Sequence, residues 1–130
     1  MTLTLGLGCD RDTPSATIVE AIDEALARCA ASRMDIGSAA SIALKANEYG
    51  LLQAMQQLGV KIHFYAADEL AAVLVPNPSE TVRRHTGTPS VSEAAALPAA
   101  GEGAQLILEK HTRRGPDGRN ATVSIARIAQ

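Results

Sequence analysis

Leu3, Leu5 and Leu7 alternate with Thr4 and Gly6, a period of two that predicts a half-buried strand over residues 2–7. The period then changes, because Ile18, Ile22 and Leu26 recur at helical spacing and predict a helix from residue 14 to about residue 32. Thr13 is placed to cap its free amides. Pro14 suits the first helical position, where its missing N–H has no partner to lose. The small apolar run 38–44 has the length of a buried strand. Leu51, Leu52, Met55 and Leu58 then share one helical face up to a capping Gly59, and residues 60–65 return to a strand. Strands and helices alternating over short connections predict right-handed crossovers and a parallel sheet with helices on both faces.

From Ala66 the texture changes. Asp68, Glu69 and Leu70 open a short helix that Pro76 and Pro78 stop, and residues 79–85 read as another, with His85 as its C-terminal cap. Ser90, followed three residues later by Glu93, forms the reciprocal capping pattern ahead of an alanine-rich helix closed by Pro98 and Gly101. Residues 104–109 and 121–128 read as strands. Residues 110–120, centred on Gly115, Pro116, Asp117 and Gly118, read as the loop joining them, so the sheet ends in an antiparallel hairpin.

A chain of 130 residues that is 46% hydrophobic predicts one domain over residues 1–130. Its aromatic residues are Phe64, Tyr49 and Tyr65, so the core must be aliphatic and little is available to stack on nucleobases. A net charge of −2 also argues against a nucleic-acid partner. Two cysteines, no charged-then-apolar leader and no run long enough to span a bilayer predict a reduced, cytoplasmic protein without a membrane segment.

The candidate chemistry starts at the first turn. A strand, two glycines and a helix start predict a rim of backbone N–H groups suited to an anion, over residues 6–13, with Gly6, Gly8, Cys9, Arg11 and Thr13 on it. Gly6-x-Gly8 is not a dinucleotide fingerprint, since Arg11 stands at the third glycine position, and no Gly-Lys-Ser/Thr follows to make a phosphate loop. Cys9 reads either as a nucleophile activated by the helix start and Arg11 or as a small residue fitted to a turn. Cys29 falls on the buried face of the first helix. The cysteines and histidines show no ligand spacing, so no metal and no cofactor are expected. Lys45 and Glu48 follow a strand end, where α/β sheets meet ligands, and are also three apart like an ordinary helix-surface pair. Lys110, Arg113, Arg114 and Arg119 against Asp117 give residues 110–119 a local charge of +3 in an acidic chain.

Six stretches in order carry a resemblance: residues 6–11 (GLGCDR), 41–48 (SIALKANE) with Gly50 and Leu51, 64–70 (FYAADEL), 75–80 (VPNPSE), 87–96 (GTPSVSEAAA) and 120–127 (NATVSIAR). The chain resembles the CobE/CbiG C-terminal domain family of cobalamin biosynthesis, and within it the stand-alone form. The resemblance implies an α/β fold of three layers, α/β/α, with a mixed, mostly parallel five- or six-stranded sheet. It also implies a role in building the corrin ring. The implied ligand is a precorrin or corrinoid small molecule of the aerobic pathway. Its carboxylate side chains suit the first-turn rim, Lys45, Glu48, Lys110, Arg113 and Arg114, with Asn77, Thr88, Ser90 and Asn120 from the matching motifs. Full-length CbiG proteins open a precorrin ring lactone. Here the upstream regions are absent, Ala43 and Asn47 stand where acidic residues are expected, and Arg11 is the only basic residue of a loop that commonly has two. The expectation is therefore binding first, lactone hydrolysis through Cys9 or a Lys45-activated water second, and docking on a corrin-pathway methyltransferase third. The hairpin is expected to be mobile and to close over the bound ring.

Overall fold

The computed structural model describes residues 2–73, 75–76 and 90–129. Strand β1 (Leu3–Cys9) reaches two residues past the alternating leucines, and helix α1 (Ser15–Arg28) follows. It ends at Arg28 rather than near Ser32 because Ala30 turns to a φ of 53°. Strand β2 (Ile36–Ile42) gives way to a 3₁₀ turn (Ala43–Lys45), so the last two residues of the expected strand belong to the turn. Helix α2 (Tyr49–Leu58) stops at Gly59, whose φ of 68° is the left-handed cap that glycine adopts without strain. Strand β3 (Ile62–Tyr65), helix α3 (Ala67–Ala71), helix α4 (Val91–Ala100) and strands β4 (Gln105–Arg114) and β5 (Asn120–Arg127) complete the order.

Several local expectations are corrected. Pro14 is itself the N-cap of α1, and no side chain caps the helix, since the Thr13 hydroxyl donates instead to the Asp10 carbonyl at 2.7 Å. Ser90 sits at the N-cap of α4, but its side chain makes no capping bond. Pro98 lies inside α4, which runs on to Ala100 before Gly101 ends it. The expected helix over residues 79–85 and the His85 cap lie outside the described residues. The basic stretch is mostly strand, because β4 continues to Arg114 and β5 resumes at Asn120, leaving residues 115–119 as the turn.

The five strands form one mixed sheet in the order β3-β2-β1-β5-β4. The β1–β2 and β2–β3 pairings are parallel, while β5 runs antiparallel to both β1 and β4, because the second strand of the hairpin and not the first lies beside β1. The β4–β5 register shifts twice, between Leu106 and Leu108 and again between Leu108 and His111. One face carries Leu3, Leu5, Leu7, Val123 and Ile125 against Ile18, Ile22 and Leu26 of α1 and Leu51 and Met55 of α2. The other face packs Ala40 and Ile42 against Val91, Ala94 and Ala95 of α4 and Leu70 of α3, and Ala126 against Ala96 and Ala100. These are the three layers.

The second face is small-residue packing of a helix laid very close to the sheet. A Cβ on Gly6 would lie 1.8 Å from the Ser92 carbonyl oxygen and 2.8 Å from the Ala96 Cβ, so only glycine admits α4 there. Gly8 has room, its nearest neighbour being Val91 at 3.8 Å. Both glycines thus lie within β1 and neither shapes the turn after it. That turn is made by Asp12, at a φ of 62°.

Gly6→Ala should force α4 off the sheet and cost about 1–3 kcal/mol or more, as overpacking against backbone does, while Gly8→Ala should be near neutral. Urea midpoints of the two variants check this. Equal midpoints for Gly6→Ala and wild type would mean that the helix shifts freely.

Candidate functional site

The carboxyl ends of β1 and β2, the loop after β1 and the start of α4 meet at one end of the sheet, where α/β folds place ligand contacts. The loop after β1 is held by Glu48, a carboxylate only 4% exposed. Glu48 Oε1 accepts the Asp12 amide at 2.9 Å and Oε2 accepts from Arg11 Nη1 at 3.2 Å. Gly50 completes the seat, since a Cβ there would stand 2.0 Å from the Thr13 carbonyl oxygen. The expected anion rim is therefore already filled by the protein itself. The Asp10 amide goes to the Asn120 carbonyl at 2.9 Å, the Asp12 amide to Glu48 and the Thr13 amide to the Asp10 carbonyl at 3.3 Å. Glu48 is thus a brace and not the surface partner of Lys45, and Thr13, buried at 2% exposure, turns its hydroxyl inward.

Asp10, Arg11 and Asp12 are exposed at this end, the Arg11 side chain to 69%, and Lys45 is half-buried in the turn after β2. Cys9 is not placed for nucleophilic work. Burial pushes its thiol up to about 11 against the lowering influence of the Lys45 charge, so the reactive thiolate is scarce near neutral pH. Asn120 is structural: its amide and its side-chain NH₂ both donate to Asp10 Oδ2, at 2.7 and 3.1 Å. Ser90 differs from all of these. It is 1% exposed, stands at the start of α4, and its Oγ has no hydrogen-bond partner among the described residues. Asn77 and Thr88 lie outside the described residues.

The hairpin turn lies at this same end, since Cys9 pairs with Ala121 and Arg119 reaches the Arg11 carbonyl, but the basic residues of β4 divide between it and α1. Arg113 points to α1, where its guanidinium bridges Glu20 at 2.7 Å and Glu24. His111 joins the same row, with Nε2 at 2.9 Å from Glu24 Oε1 and Nδ1 at 3.2 Å from Arg28 Nη1. A guanidinium on Nδ1 makes that nitrogen the acceptor and leaves the ring proton on Nε2, facing the carboxylate. Lys110 lies with Arg28, Glu109 and Thr112 along β4. Arg114 lies over the turn, its Nη2 within 3.3 Å of where a Gly118 Cβ would be. The turn itself is fastened. Gly115 sits against Thr17 of α1, Arg119 Nη1 bonds Asp117 at 3.0 Å, and Arg119 Nε donates to the Arg11 carbonyl at 3.0 Å. In this structure the turn is thus tied to α1 and to the loop after β1.

Asp10, Asp12, Glu20 and Glu24 were not singled out by the sequence. Of these only Asp12 left a trace, as an acidic residue in a tight strand-to-helix turn where Asp tolerates positive φ. Among the described residues no group of three His, Cys, Asp or Glu is placed to hold a metal ion, and no helix is long and apolar enough to cross a membrane.

A three-layer α/β/α domain with a mixed sheet, lacking a nucleotide loop, is the class these features define. Residues 3–126 match the family described as cobalamin synthesis G C-terminus, and the chain belongs to that family. It is a protein of cobalamin biosynthesis. It is 40% identical over 110 residues to Protein CobE of Sinorhizobium sp, covering 83% of this chain and 71% of that one. It is 32% identical over 126 residues to the cobalt-precorrin-5A hydrolase of Priestia megaterium, covering 97% of this chain but only 32% of the hydrolase. The chain thus spans about a third of that enzyme's length. A crystal structure of CobE, from the cobalamin (vitamin B12) biosynthetic pathway, superposes with a TM-score of 0.83 at 32% identity, covering 98% of this chain and 91% of that one.

Two outcomes follow from the braces. Glu48→Ala should expose the Asp12 amide to hydrogen exchange, whereas Glu48→Gln, which keeps an acceptor oxygen, should leave it protected; equal protection in all three proteins would mean the turn holds itself. The second concerns acid. The His111 hydrogen bond, and after it the Arg113 charge, hold the Glu24 carboxyl below the usual carboxylate range. A group whose pKa is lower folded than unfolded adds stability above its unfolded value and loses it as pH falls through its folded value. Wild type should therefore lose its advantage over Glu24→Gln as pH drops below roughly 4, read from thermal midpoints across pH. A gap that persists at acid pH would assign it to shape and not charge.

Proposed function

We propose that this single domain binds a precorrin or corrinoid intermediate in the cytoplasm, at the end of the sheet where β1, β2 and the start of α4 meet. Arg11 and Lys45 pair with the carboxylates of the ring's side chains. Ser90 donates its hydroxyl hydrogen to a carboxylate or carbonyl oxygen of the same ligand. The observation that carries the reading is the Ser90 Oγ, buried at the N-cap of α4 and without a hydrogen-bond partner among the described residues. A buried hydroxyl without a partner costs about 1–3 kcal/mol, and a hydrogen bond to a ligand would recover it.

Family membership and the names of the similar proteins supply the ligand class. The geometry supports holding the ligand more than reacting with it. Cys9 keeps its proton, and both Glu48 oxygens are engaged within the protein. Hydrolysis of cobalt-precorrin-5A is the activity named for a relative about three times as long.

The test is a visible-absorbance titration with cobyrinic acid, a stable corrin polycarboxylate. Wild type should bind it, and more weakly as salt screens Arg11 and Lys45. Ser90→Ala should be at least as stable as wild type, because it removes an unsatisfied group, yet bind about tenfold more weakly. A Ser90→Ala protein that binds like wild type would place the ligand elsewhere.

A further inference from the structure

We propose that Leu44, Tyr49 and Leu52 form an apolar shelf on which the face of the macrocycle lies, so that the ring is held flat beside the cations and not only by its carboxylate fringe. This rests on the reading that the domain binds a corrinoid.

Among the described residues four large hydrophobic side chains are exposed. Leu44 is 54%, Tyr49 75% and Leu52 40% exposed, and the fourth, Met34, belongs to the turn before β2. The first three fall between residues 44 and 52, and Tyr49 and Leu52, three apart on α2, share a helical face. The segment from Ala43 to Tyr49 is solvent-facing or nearly so except at Glu48, which anchors it inward. Ala43, Leu44, Ala46 and Tyr49 are thus presented outward by one buried carboxylate.

That carboxylate ties the shelf to the cations. Glu48, next to Tyr49, holds Arg11 at 3.2 Å, and Gly50, on the other side of Tyr49, is packed against the Thr13 carbonyl. Lys45 follows Leu44 directly. An exposed tyrosine and two exposed leucines bordered by an exposed guanidinium and an ammonium match an amphiphile with an apolar face and an anionic rim, which is the chemistry of a corrin polycarboxylate. A stable protein partner would need about 800 Å² on each side, more than three side chains present.

Leu44→Ser with Tyr49→Ser should fold normally, since both side chains are already in solvent. It should bind cobyrinic acid about tenfold more weakly at low and at high salt alike, because contact with an apolar face is not screened. Arg11→Glu should weaken binding mainly at low salt, and Tyr49→Phe should restore the shelf. If wild type binds and the double serine variant binds equally well, the shelf is overturned while corrinoid binding stands. If the variant keeps the corrin but loses a co-purifying pathway enzyme, the patch is a protein dock and the proposal also falls. If wild type itself does not bind, the reading beneath it fails and the shelf goes with it.

Discussion

The contact on which the rest depends is that of α4 with β1 at Gly6, where helix backbone meets strand with no side chain between them. A helix that close cannot be displaced without voiding the alanine face of the sheet, at Ala40, Ala94, Ala95, Ala96 and Ala126. Its position sets that of its first turn, and so puts the Ser90 hydroxyl at the strand ends. A residue near the middle of a strand therefore decides where a group on a helix more than eighty positions away is held.

The opposite layer is built differently. Leucine and isoleucine from β1, β5, α1 and α2 fill it, and a row of charges along α1 straps the edge strand to the helix. Exposed ion pairs of this kind contribute little singly, and networks sharing a carboxylate contribute more. Here Glu24 takes both Arg113 and His111. The strap also engages Arg113 with the protein's own carboxylates.

The periodic elements were readable because their burial is one-sided: Leu3, Leu5 and Leu7 for a strand, Ile18, Ile22 and Leu26 for a helix, Gly59 for a stop. The mixed sheet and the six ordered stretches of the family were readable too. What was not readable is what depends on distant partners. Lys110 to Arg114 looked like a loop because charged residues stand on both faces of the strand, and only the carboxylates of α1 explain one row of them. Gly6 looked like turn chemistry, since nothing local indicates that a helix ninety residues on rests there. Glu48 read either as a strand-end ligand contact or as a surface partner of Lys45, because the loop it braces is more than thirty positions upstream.

The two register shifts of β4 have a consequence for the protein as one molecule among many. An edge strand is a template for another chain only where its outward N–H and C=O groups keep an even spacing, and a bulge breaks that spacing and twists the edge. Among the described residues one edge of this sheet is a strand of four residues and the other is interrupted twice. Neither offers a neighbour a long run of regular backbone on which to extend the sheet, which is how natural sheets discourage edge-to-edge pairing between copies.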